Sequence, residues 1–79
     1  MTHPIIQAFG QLVRQHRERL GLSQEDLAEQ TGVSRNYIGM IERGETNPTL
    51  LVIHDLARSL QMTVPKFMAE LILPTEKSE

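Results

Sequence analysis

Two short helical segments set almost end to end constrain this chain more than any other feature. Ser23 is a helix-capping residue, followed three positions later by Asp26, a pattern that resembles a capping box with a shortened acid. Leu27 and Ala28 point inward from this segment, and Glu25 and Glu29 point outward. The pair Thr31-Gly32 breaks the helix just after Gln30. Ser34 caps a second segment in which Tyr37, Ile38 and Ile41 fall on neighbouring turns, and Gly44 ends it. Only about three residues separate the two helices, and together they run from Gln24 to Arg43. Ala28 is small where the second helix must cross the first. Gly32 supplies the positive φ of a sharp turn, and Val33, Ile38 and Ile41 pin the second helix to a body. This spacing suits two helices at a steep angle, with the second free to enter a groove.

Helical periodicity also dominates the rest of the chain, so the expected class is all-α. Ile6, Phe9, Leu12, Val13, His16 and Leu20 recur by threes and fours, which predicts a first helix over about 5–20 between Pro4 and Gly21. After a loop at Glu45–Pro48, Thr49 caps a fourth helix with Leu50, Ile53, Leu56, Ala57 and Leu60 as its apolar stripe. Thr63 caps a fifth over about 64–73, with Pro65 early and a stripe of Val64, Phe67, Met68, Leu71 and Ile72. Residues 75–79 are polar and expected to fray.

The 79 residues suffice for one domain, 1–79. Without cysteine there is no disulfide staple, so helix packing and oligomerisation must supply stability. No apolar run approaches the ~20 residues of a membrane span, and a soluble, cytoplasmic protein without membrane contact is expected. The formal net charge of −2 argues against a broadly basic nucleic-acid binder. A short basic edge on an acidic body remains compatible with DNA.

The stretch Leu22–Leu50, LSQEDLAEQTGVSRNYIGMIERGETNPTL, resembles the Cro and phage-repressor family, also called XRE-like. The likeness extends over about residues 9–60 and is most specific across Ser23–Gly44. It implies a compact, five-helix, lambda-repressor-like DNA-binding domain acting as a homodimer on an operator in double-stranded DNA. The small size, with helix 5 as the sole addition, also resembles controller proteins of restriction-modification systems. The resemblance implies that Gln24 touches a phosphate and that Arg35, Asn36 and Tyr37 open the helix that reads bases. Arginine can pair with guanine O6 and N7, and asparagine with adenine N6 and N7. Gly39 falls where some relatives carry a reading side chain. Ser34, Arg43, Thr46, Asn47 and Thr49 are the further candidates for the DNA backbone, and Arg14 and Arg19 are peripheral ones. Arg17 and Glu42 match a structural ion pair between helices 1 and 3.

Other readings compete for several residues. Arg35 and Asn36 on their own fit a solvated helix start. Tyr37 suits either a base or phosphate contact or a place across helix 1. His16 reads as a partly buried helix residue, and His3, His16 and His54 have no pair at metal-binding spacing. With no nucleophile, phosphate loop or dinucleotide fingerprint, neither an enzyme nor a cofactor, metal or small-molecule site is expected. Five helices leave little interior for the whole helix 5 stripe. Val64, Phe67 and Leu71 are therefore expected at a twofold interface. The competing function class is a protein-interaction module such as an antitoxin, with DNA contact secondary.

Overall fold

The computed structural model describes residues 3–71, and these form five α-helices: α1 (Pro4–Arg19), α2 (Gln24–Thr31), α3 (Arg35–Glu42), α4 (Leu50–Ser59) and α5 (Val64–Ala69). Among the described residues there is no strand, and no helix is long and apolar enough to cross a membrane.

Each helix start follows from a side-chain oxygen or nitrogen that satisfies an otherwise orphaned amide. Ser34, Thr49 and Thr63 each accept from the amide three residues on, and His3 Nδ1 accepts from Ile5. His3 at the cap and Pro4 in the first turn place the start of α1 one residue earlier than expected. At α2 the capping box is complete. The Asp26 amide donates to Ser23 Oγ at 2.9 Å, and the Ser23 amide donates to Asp26 Oδ2 at 2.9 Å. The Ser23 amide first, and then the Ser23 hydroxyl, hold the Asp26 carboxyl below the usual aspartate range. A depressed native pKa contributes stability above the ordinary aspartate value and loses it as pH falls through the native value. Asp26→Asn is therefore expected to melt below wild type at neutral pH, with the gap closing under acid. Thermal melts followed by circular dichroism check this; a gap that persists in strong acid would exclude the capping carboxylate as its source.

Helix ends are equally local. Past α1, α3 and α4 the chain turns left-handed at Gly21, Gly44 and Gln61. The following amides reach back to Arg17, Met40 and Ala57 carbonyls at 2.8–3.0 Å. Gln61, with φ of 65°, takes a conformation that glycine holds at the other two ends. Gly32, with φ of 79°, makes the α2–α3 turn.

One core joins the five helices: Phe9, Leu12 and Val13 from α1, Leu27 and Ala28 from α2, Ile38 and Ile41 from α3, Leu56, Ala57 and Leu60 from α4 and its end, and Phe67 from α5. Phe67 corrects an expectation. It is 0% exposed and meets Phe9 edge-on at 5.5 Å and His16 at 5.6 Å, so its ring belongs to the core and not to a subunit interface. Leu50 corrects another. It is the first residue of α4, ahead of the turn that reaches the core, and stands 75% exposed. Helix α5 ends at Ala69, short of the expected 73, with the Glu70 and Leu71 amides bonded in tighter turns to the Phe67 and Met68 carbonyls. Ile72 of the expected stripe and the 75–79 tail lie outside the described residues.

Candidate nucleic-acid interface

The α3 helix divides its surface sharply. Ile38 and Ile41 are buried, and Arg35 and Asn36 are exposed at its first turn. Ser34 Oγ fixes that turn by accepting from the Tyr37 amide at 3.0 Å, which leaves the hydroxyl proton free to donate outward. Tyr37 is half-buried and packs against the core.

Beneath α3 lies a charged knot. Glu42 accepts from Arg17 Nε at 2.6 Å, from Arg17 Nη2 at 3.1 Å and from Gln24 Nε2 at 3.0 Å. Arg17 Nη1 donates to the Leu22 carbonyl at 2.7 Å. The Glu42 side chain is 4% exposed and that of Arg17 is 11% exposed. The carboxylate raises the guanidinium pKa above its already high ordinary value, first through the hydrogen bond and then through charge, against the cost of burial. Through these bonds α1, the start of α2 and the end of α3 share one anchor. Gln24 thus supports α3 through Glu42, and among the described residues its second N–H has no partner.

Arg43 caps the end of α3. Its Nε and Nη2 donate to the two Glu45 oxygens at 2.9 and 3.2 Å, with both side chains about half exposed. The pair raises the Arg43 pKa and holds Glu45 below the usual glutamate range. At this exposure it is worth little to stability. Gly39, which has no side chain to offer, is covered from both sides. A Cβ there would lie 3.0 Å from Arg43 Nη1 and 3.7 Å from Gln24 Oε1. Gln24 and Arg43 are therefore neighbours across Gly39. Thr46 is half-buried and Asn47 exposed in the loop that follows. Thr49 Oγ1 accepts from the Val52 amide at 3.2 Å and, like Ser34, retains a hydroxyl proton. Arg14 pairs along α1 with Glu18 at 3.1 Å. Val64 and Leu71 are half-buried.

Sequence reasoning missed three parts of this region. Gly10 lets α1 approach the α3 backbone, Met40 stands one turn beyond Asn36, and Glu45 neutralises Arg43. The last two have readable signals, a spacing of four on one helix and an acid two positions from the arginine on a short cap.

A helix-turn-helix family model matches residues 13–67. The control protein C.SmaI of Serratia marcescens is 45% identical over 65 residues, 82% of this chain and 77% of that protein. A helix-turn-helix-type transcriptional regulator of Methanothermobacter thermautotrophicus is 49% identical over 49 residues, 62% of this chain and 71% of that protein. The crystal structure of the restriction-modification controller protein C.AhdI from Aeromonas hydrophila superposes with a TM-score of 0.76 at 40% identity, covering 78% of this chain and 94% of that one.

Proposed function

The chain belongs to the Cro- and repressor-like (XRE-like) helix-turn-helix family, and from that premise we propose that it is a transcriptional regulator that binds an operator as a homodimer, with α3 of each subunit in a major groove. The observation that carries this reading is the two-sided α3. Its apolar face is locked in the core, and Arg35 and Asn36 open its exposed face. A reading helix needs that rigidity, because base contacts discriminate only when side chains cannot drift.

Arg35 and Asn36 read bases, and Tyr37 contributes from the edge of the same turn. Ser34, Arg43, Thr46, Asn47 and Thr49 hold the backbone, and Gln24 joins them through its free N–H. Most of these are uncharged donors, which suits a chain of net charge −2. Few counterions are released on binding, so affinity falls less steeply with salt than for a heavily basic protein. The two half-sites lie about one turn of DNA apart, ~34–36 Å. Leu50 and Leu51, 75% and 68% exposed at the start of α4, are apolar surface that one subunit leaves uncovered. They support self-association alongside Val64 and Leu71. The likeness to C.SmaI and C.AhdI supports the narrower role of a restriction-modification controller.

Selection of bound duplexes from a random pool tests the reading. The expected result is a site with two related halves. Arg35→Ala and Asn36→Ala are each expected to relax one position per half, at ~1–3 kcal/mol per lost bidentate contact. Retention of no duplex at low salt would instead favour the protein-interaction module.

A further inference from the structure

Among the described residues, Met40 stands outside the core packing. It is a half-covered apolar side chain on α3, yet it is absent from the core and from the hydrophobics packed against the core, where Met62 and Met68 both appear. Helical geometry sets it about 160° around the axis from buried Ile38, on the same face as Asn36 one turn earlier. The two side chains touch, with Asn36 Nδ2 donating to Met40 Sδ at 3.8 Å. The Met40 backbone is held as well, because its carbonyl accepts from the Glu45 amide at 2.8 Å in the closing turn of α3. An apolar group is thus fixed in the middle of a face otherwise built from polar side chains.

We infer that Met40 is a specificity-determining residue that reads the 5-methyl group of a thymine. This rests on α3 being the reading helix. The Asn36 amide has two N–H groups and one carbonyl. Donation of one N–H to Met40 sulfur leaves the other N–H and the carbonyl for adenine N7 and N6. The methionine that steadies Asn36 then lies beside the base that Asn36 reads. Four residues of helix advance ~6 Å, and base pairs are stacked ~3.4 Å apart, so Met40 meets a base one or two pairs from that adenine. In the major groove the only apolar feature of a base edge is the thymine methyl. A flexible, polarisable thioether fits over it without demanding a unique angle. The recognised element is an adenine followed at one or two pairs by a thymine on either strand.

The test uses the duplex selected by the wild-type protein, with each thymine replaced in turn by deoxyuridine, which removes the methyl and nothing else. At one thymine per half-site the replacement is expected to weaken wild-type binding by about threefold to tenfold. Met40→Ala is expected to bind the thymine and uracil duplexes equally, and Met40→Leu to retain most of the difference. Melting curves establish that both variants are folded. Wild-type binding that is indifferent to every uracil, or a uracil penalty unchanged in Met40→Ala, overturns the assignment while leaving α3 as the reading helix. A wild-type protein that selects no sequence overturns both.

Discussion

Gly10→Ala is expected to destabilise the protein strongly. On helix propensity alone the substitution stabilises an α-helix interior by ~1 kcal/mol. Gly10 is different because the end of α3 rests on it. A Cβ at position 10 would lie inside contact distance of the Ile41 carbonyl oxygen and 2.8 Å from that of Glu42. Both obstacles are backbone, so no flexible side chain can swing aside. Helices α1 and α3 must separate, which disturbs Ile41 in the core and Glu42 in the ion pair together. Overpacking of this kind costs about 3 kcal/mol or more, against a total of ~4–12 kcal/mol for a domain this long. The melting midpoint should fall by on the order of 12–24 °C. Gly21→Ala is the control: its φ is +73° but no atom of the described residues lies within 4 Å of the added carbon, so only local strain of ~1–2 kcal/mol is expected. A melt of Gly10→Ala at or above that of wild type would show that α1 and α3 have room to spare.

The contrast between those two glycines shows what the sequence discloses and what it withholds. Gly21, Gly32 and Gly44 each follow an apolar stripe or sit in a breaker pair, and each has positive φ. Their reason is local, so a window of a few residues contains it. The caps at Ser23, Ser34, Thr49 and Thr63 are legible for the same reason. Gly10 sits mid-helix with an ordinary helical conformation, and its reason is a carbonyl thirty-one residues away. Gln61 takes a left-handed turn that no local signal announces, because the closing bond to Ala57 and the burial of Leu60 impose it. Phe67 and Leu50 exchanged places for a related cause. An apolar stripe gives the face of a helix that seeks cover but not which neighbour supplies it. Phe67 is covered by Phe9 and His16 of α1, and Leu50 precedes the turn that reaches the body. Within the candidate interface, the positions of Arg35 and Asn36 follow from cap and period. The same period turns Met40 outward, but its contact with the Asn36 amide is a matter of rotamers that no spacing announces.

Glu42→Gln is expected to remove about 3–5 kcal/mol, because the cost is that of a stranded charge and not of a lost attraction. Arg17 would keep its full positive charge among buried surroundings, with only neutral acceptors close, the Leu22 carbonyl and the new amide oxygen, and with Glu18 at 3.8 Å. The reverse change, Arg17→Met, strands Glu42 with a single neutral donor from Gln24. Each single variant should therefore melt far below wild type. Replacing both, Arg17→Met with Glu42→Leu, removes both desolvated charges and should recover most of the loss, since apolar pairs of similar volume often equal buried ion pairs in stability. DNA binding is expected to separate from stability in that double variant. Gln24 then has no carboxylate to hold it against α3, and the start of α2 and the end of α3 lose their common anchor. Denaturant titrations of wild type, Arg17→Met, Glu42→Leu and the double variant give the coupling between the two sites, and affinity for the selected duplex gives the second readout. A double variant that is stable and binds DNA like wild type would reduce the knot to an interchangeable filler. Recovered stability with weakened, less selective binding would identify the ion pair as the part that fixes how α3 is presented to the groove.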